Sequence, residues 1–450
     1  MKVLIVVSNS FHLRSVIDSG LLIELCSKFE VTLAISIELE QNLEPLNLKR
    51  IVFRTSPQNL KFTGYIMDSG TWRFRSKSSS FRYRIKRRLY GDTSPDNFDF
   101  IHMLKFKYHL MISLTKYFLL GNSLSYWTLK NIYKNLQKKE QSVASVLKIQ
   151  MPDLVIVWAQ TLDPATSAFL YHSRRNSIPS LMIADNWDNL FSKTVFPITP
   201  NYVGCFGAQS ADFGSKLHGI PRDHFLLLGS ARFDVYREFS KIEDRKIILF
   251  AGSSMPEDDE KIVTLIDEVR VERKHVAEFD EFTWRYRPHP VPQYAVSDFQ
   301  DLFPSFDFTN NRSSSAEIAW PSLQDSVVEL ANTRVAVCMP TSYLLEALAC
   351  GVPVIIPAFS NMNGLTSSRV LMESLAHLKS INDLPGVSVA TSAEDFKRQL
   401  SKLIDSDSHI KISDKLDYFV EFSKTSFANN LIAAISTVLN ERDGHTVKQR

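Results

Sequence analysis

The chain has 450 residues, 44% of them hydrophobic, enough to bury two cores, because a single core stops growing well short of this length. Its formal net charge of +3 is too small to argue for nucleic-acid binding, so partners have to be read from local clusters. Cys26, Cys205, Cys338 and Cys350 form no C-x-x-C pair and lie among apolar neighbours; they read as reduced structural thiols, and a cytoplasmic location is expected.

Residues 3–7 form an apolar run ending at Ser8-Asn9-Ser10, too short for a signal-peptide core or a membrane span, which predicts a buried strand. A helical pattern over about 15–29 and a second apolar run at 31–35 complete the strand–helix–strand spacing of a parallel unit. From about 68 to 140 the sequence turns basic, aromatic and helical with no strand run, predicting a helical insertion in the first domain. The apolar stretch near 111–127 inside it is interrupted by Lys116 and several Ser and Asn residues, which argues against a spanning helix. Strands are next expected at 154–158, 180–184, 202–206 and 225–228, closing a first domain over 1–234. A second series at 246–250, 283–286, 334–338 and 352–356 predicts a second α/β domain over 235–414. In the remaining segment, 415–450, Leu416, Phe419, Phe422, Phe427, Leu431, Ile432, Ile435 and Leu439 predict an amphipathic helix or helix pair packing across both domains.

In open α/β sheets ligands bind beyond the carboxyl ends of the strands, so the residues just after each predicted strand are the ones to inspect. After the first strand, His12 and Arg14 are candidates to meet acceptor, donor phosphate or a proton, or else simply to start a helix. After 180–184 come Asp185, Asn186, Trp187, Asp188 and Asn189, with Lys193 beyond. Asp185 and Asp188 are candidate general bases and Asn186, Trp187 and Lys193 candidate acceptor contacts, with turn formation as the alternative.

Gly252, Ser253 and Ser254 follow the strand at 246–250, where small residues let backbone amides approach a phosphate or sugar; a simple loop is the alternative. Arg287-Pro288-His289-Pro290 follows 283–286, and its two prolines fix the backbone on either side of one imidazole. His289 is a candidate to stabilise a departing nucleotide phosphate, Arg287 to add fixed positive charge and Pro290 to hold the loop, unless the histidine merely caps a carbonyl. Pro340-Thr341-Ser342 opens a helix, so an anion fits near Thr341 and Ser342, while Glu346, one turn deeper on the same face, suits ribose hydroxyls. The alternative gives Ser342 an N-cap role and Glu346 a first-turn charge.

Between 72 and 88 stand Arg73, Arg75, Lys77, Arg82, Arg84, Lys86, Arg87 and Arg88 without an acid, interleaved with Phe74, Phe81 and Tyr83. This is a candidate seat for anionic lipid headgroups, implying a peripheral place on the inner face of the cell membrane; a solvated basic face is the alternative. No nucleic-acid fold signature accompanies it.

The assembled pattern resembles bacterial surface-carbohydrate glycosyltransferases of the GT-B type, in which two Rossmann-like domains face a cleft and the C-terminal one binds the nucleotide. His289-Pro290 looks like the His-Pro motif of bacterial sialyltransferases, capsular Kdo transferases and glycerol-phosphate polymerases, which implies a cytidine donor. The run Ser342-x-x-x-Glu346-Ala347-x-Ala349-x-Gly351-x-Pro353 is similar to the broader GT-B pattern whose Glu contacts ribose and which does not choose the base. Pro340 to Leu344 departs from the Thr-Asp-Tyr-Ser-Ser type of the polymerases, and the sialyltransferases' acidic pair before Gly is not recognisable. The resemblance implies metal-independent transfer of a sugar from a nucleotide-activated, preferably CMP-activated, donor to a saccharide or lipid-linked saccharide in capsule or lipopolysaccharide synthesis, with no cofactor. Alternatives are a UDP- or GDP-sugar transferase, a CDP-polyol phosphotransferase, a nucleotide-sugar epimerase of the same fold, or a non-enzymatic scaffold.

Overall fold

Two parallel sheets organise the chain, each in its own compact unit: Met1–Gly91, Phe98–Asp234 and Asp417–Arg450 form one, and Val235–Leu416 make up the body of the other. The computed structural model describes residues 1–17, 19–40, 48–90, 103–104, 107–112, 115, 122–159, 163–184, 186–237, 244–253, 256–273, 282–289, 300–309, 323–362, 364–406 and 414–447.

The first sheet contains β1 (Lys2–Val7), β2 (Glu30–Ser36), β3 (Arg50–Phe53), β4 (Leu154–Trp158), β5 (Ser180–Ile183), β6 (Tyr202–Cys205) and β7 (Phe225–Leu227). They lie in the order β3-β2-β1-β4-β5-β6-β7, all pairs parallel. Val3 is in register with Val31 on one side and Leu154 on the other. Strands covered on both faces read as near-continuous apolar runs, which is why β1 and β4 stand out in the sequence. One face packs Ile5, Ile35 and Ile156 against Phe427, Leu431 and Ile435 of the terminal helix Phe427–Val447; the other packs Leu4, Val155 and Met182 against Val143, Phe169 and Leu170.

The second sheet contains β8 (Ile247–Ala251), β9 (Thr283–Arg287), β10 (Asp307–Phe308), β11 (Thr333–Cys338), β12 (Val354–Pro357) and β13 (Val387–Ala390), in the order β10-β9-β8-β11-β12-β13. Its core joins Phe250, Ile262, Val337, Ile355 and Phe396. These are two Rossmann-like domains of the GT-B type, each with one place where the strand order reverses: between β1 and β4 in the first, between β8 and β11 in the second.

Three strands absent from the sequence reading, β3, β10 and β13, are all edges of their sheets. They are short and only partly buried, so they lack the apolar run that marks an inner strand. The helix expected over 15–29 is two, Ser10–Ile17 and Leu21–Cys26, separated where Gly20 takes φ 73°. The helical pattern expected from Leu416 also breaks. Asp417 accepts hydrogen bonds from the backbone N–H groups of Phe422 and Ser423, which holds that stretch as a loop before the helix begins at Phe427. Helix Pro57–Phe74 opens the helical insertion earlier than expected, with Ser56 capping the N–H of Asn59.

Candidate functional site

At the reversal point of the second sheet, three strand ends converge. β8 runs into Gly252 and Ser253, and Asp259, fully buried, turns its carboxylate onto the Ser253 N–H at 2.9 Å while accepting from the Tyr286 hydroxyl at 2.7 Å. A Cβ at Gly252 would lie 2.2 Å from the Asp259 carboxylate and 2.8 Å from the Tyr286 ring, so only glycine fits. The Ser253 amide expected to meet a phosphate is thus held by a carboxylate. Burial pushes the Asp259 carboxyl up to about 7, against the hydrogen bonds from Ser253 and Tyr286 that lower it. Asp259 was not visible as a special residue in the acidic run Glu257 to Glu260; the small residues six positions before it are the only signal. Ser254 lies outside the described residues.

β9 ends in Arg287, and this corrects the expectation of a phosphate-facing cation. Its guanidinium is buried, donates to Glu329 at 2.6 Å and to the Ser326 hydroxyl at 3.3 Å, and sits 4.4 Å over the Tyr343 ring. Burial alone would lower its pKa; Tyr343, Glu329 and Glu346 outweigh it and raise it, so the cation is locked on. Pro288 and His289 follow at the strand's carboxyl end, half-buried; Pro290 lies outside the described residues.

β11 leads through Met339 to Thr341 and Ser342, both half-buried. The Thr341 N–H donates to the Met339 carbonyl at 2.7 Å. Ser342 already has helical φ and ψ and makes no side-chain cap to the helix Tyr343–Ala349, so the N-cap reading of this serine does not hold. Glu346 is buried and accepts from the Tyr236 hydroxyl at 2.7 Å. Tyr236 is itself buried, its phenol pushed up first by burial and then by Glu346, so it stays a neutral donor. Arg287, Tyr343, Glu346 and Tyr236 form one interacting group that ties the end of β9 to the helix after β11. Tyr236 carries no motif, and nothing in the sequence pointed to it.

At the reversal point of the first sheet, His12 is buried and stacked on Trp158 with ring centroids 5.3 Å apart. Ser8, just past β1, donates its hydroxyl hydrogen to Asp163 at 2.6 Å and lies 3.2 Å from His12 Nδ1. Because the serine proton points at the carboxylate, its oxygen accepts from Nδ1–H, which leaves Nε2 as the basic nitrogen, 3.4 Å from Asn9 Nδ2. Asp163 is fixed by accepting from the Ala165 N–H at 2.8 Å and the Thr166 hydroxyl at 3.1 Å. Sequence reasoning found His12 but neither Ser8 nor Asp163. The Arg14 side chain lies outside what the structure describes.

After β5 the described residues are engaged with the surrounding fold. Trp187 is core, donating its indole N–H to Gln209 at 2.9 Å and packing on Phe419. Asp188 pairs with Lys193 at 2.9 Å, and Asn186 accepts from the Trp187 N–H at 2.9 Å. Asp185 lies outside the described residues.

No protein-family model and no curated protein sequence matches the chain. Among solved structures it is similar to a UDP-GlcNAc 2-epimerase of Neisseria meningitidis bound to UDP-GlcNAc, with TM-score 0.52, 13% identity, and 98% of this chain and 100% of that one covered. It is likewise similar to the UDP-GlcNAc 2-epimerase of Methanocaldococcus jannaschii, with TM-score 0.51, 11% identity, and coverage of 97% and 100%. The chain shares their fold. At this identity the likeness speaks for the architecture and leaves the reaction to be argued from residues.

Proposed function

We propose that the chain is an enzyme acting on a nucleotide-activated sugar, holding the nucleotide at the carboxyl edge of the second sheet and transferring the sugar to a hydroxyl acceptor. The observation that carries this is the Tyr236–Glu346 pair at the β8/β11 reversal. A buried carboxylate held by a neutral phenol is an oriented acceptor for ribose hydroxyls, next to the Thr341-Ser342 turn and the His289 loop that suit phosphate. In this reading the acceptor oxygen bonds to the anomeric carbon as the bond to the nucleotide phosphate breaks. His289 donates to the departing phosphate, and the acceptor's proton leaves to a general base. A CMP-activated, Kdo- or sialic-acid-like donor and a saccharide or lipid-linked saccharide acceptor of surface polysaccharide are the favoured substrates, on the strength of His289-Pro290.

A second reading, nucleotide-sugar epimerisation, is favoured by the fold shared with the two 2-epimerases. Incubation with CMP-, UDP- and GDP-sugars, with and without acceptor saccharides, separates the two. Transfer predicts acceptor-dependent nucleotide release, reduced 100-fold or more in the His289→Ala variant, the order of magnitude general acid–base catalysis contributes. An altered sugar still bound to its nucleotide, formed without acceptor, would show epimerisation instead. If no nucleotide raises the melting temperature and Glu346→Gln leaves nucleotide affinity unchanged, both readings are wrong.

A further inference from the structure

Charge along this chain is very uneven. Residues 69–139 hold fifteen Lys and Arg against three Asp and no Glu, a net +12, whereas the whole chain is only +3 and the remainder therefore −9. No acid occurs in 69–90 or again in 100–139.

The structure sorts this insertion into an inner and an outer set. Of the three aromatics the sequence offered for membrane contact, Phe81 and Tyr83 are buried and Phe74 partly so, and Phe81 joins Met67, Val195 and Leu217 in a small core against which Phe74 and Tyr126 pack. Arg84 is turned inward as well, donating to the Ser192 carbonyl at 2.7 Å. Arg82 and Lys86, one turn apart on the helix Ser79–Tyr90, are exposed. Among the described residues the most exposed apolar groups of the insertion lie on a different helix, Ser123–Gln137, where Leu124 is 73% and Trp127 62% exposed. That helix begins beside Pro57–Phe74, the helix that precedes the basic one: Arg73 donates to the Ser123 hydroxyl at 2.6 Å and lies over the Tyr126 ring, and Tyr126 packs against the small core that holds Phe81. Residues 107–112 add a further helical turn with Tyr108 and Met111 exposed.

An exposed Trp and Leu side by side are costly to keep in water, and a Trp flanked by Lys and Arg is the pattern of a bilayer interface, where the indole sits at headgroup depth and the cations meet anionic lipid. We infer that this basic insertion docks on an anionic phospholipid surface, with Leu124 and Trp127 inserted and the exposed Arg82 and Lys86 supplying charge to the headgroups. Among the described residues no helix is long and apolar enough to cross a membrane, and the contact is peripheral. It is independent of which reaction the chain performs.

The full chain is sedimented with vesicles of phosphatidylcholine alone or mixed with phosphatidylglycerol, at low and at about 0.5 M salt, where charge contacts are largely screened. Binding is expected to the mixed vesicles at low salt, weakened at least tenfold by salt and by Arg82→Glu with Lys86→Glu, and at least tenfold by Leu124→Ser with Trp127→Ser. The vesicle-induced blue shift in tryptophan emission is expected to disappear in Trp127→Phe, a variant that keeps an aromatic ring and isolates insertion from folding. Equal binding to neutral vesicles, binding to neither, or a blue shift unchanged in Trp127→Phe overturns the proposal. So does tighter binding to single-stranded RNA than to the mixed vesicles.

Discussion

Arg287 and Asp259 are neighbours in the fold with opposite electrostatic lessons. Arg287 has its fork filled by Glu329 and Ser326 and its plane covered by Tyr343, so Arg287→Met leaves Glu329 as a buried carboxylate without its cation. That change is expected to lower unfolding free energy by about 3–5 kcal/mol, read from urea denaturation; a loss within error of zero would mean Glu329 is solvated or protonated. Asp259 is held toward its neutral form, whereas Arg287 is held charged. Its carboxyl is raised in the folded state to about 7 from an ordinary 3.8, so between those values the folded chain holds a proton that the unfolded chain releases. Its contribution is fully present below about pH 4, declines as pH rises toward 7, and is flat above. Asp259→Asn removes that slope, and the difference in stability between the parent chain and the variant, followed from pH 4 to pH 8, is expected to shrink with rising pH. An unchanged slope would assign the titration to another group. Both residues sit under the loops proposed for phosphate, and neither role is written in a motif: Arg287 looked like a ligand because of its place after a strand, and Asp259 looked like a solvated helix charge.

Inner strands were legible because burial on both faces forces an uninterrupted apolar run, as in β1, β4 and β8, all of whose inner residues are buried. Edge strands β3, β10 and β13 were not, being short and partly exposed, whereas the edge strand β7 was, because residues 225–228 are an unbroken apolar run. The periodic residues after Leu416 were over-read in the same way: Phe419 and Phe422 are buried, as helical spacing suggested, but they reach the core from the turn and loop that follow the 3-10 helix Asp414–Tyr418, where the Glu421 N–H donates to the Phe206 carbonyl. Phe419 meets Trp187 and Phe422 meets Phe233. The helix that follows is a true packing element. Ile435 is fully buried in a cluster shared with Ile5, Ile35 and Ile156, and Ile435→Ala is expected to destabilise the first unit by about 2–5 kcal/mol, seen as a lowered denaturation midpoint. A change under about 0.5 kcal/mol, the size of an ordinary surface substitution, would place this helix outside the core.

Across the whole molecule, two rounds of strand and helix alternation made the pair of α/β sheets readable, because each round carries its own apolar periodicity. The groups that matter chemically were less so: Ser8 meets Asp163 across 155 positions of sequence and Tyr236 meets Glu346 across 110, and such meetings follow from strand order rather than from any local pattern. The same strand order has a consequence for synthesis. The seven strands of the first sheet have all been made by Leu227, but the face bearing Ile5, Ile35 and Ile156, covered in part by Val16, Leu21 and Leu25, is completed by the helix that starts at Phe427. Val235–Leu416, the body of the second unit, leaves the ribosome in the meantime. The half of the protein made first is therefore the last to be finished, and a nascent chain carries a partly covered apolar sheet face through about two hundred residues of elongation, a window in which chaperone engagement bears on yield.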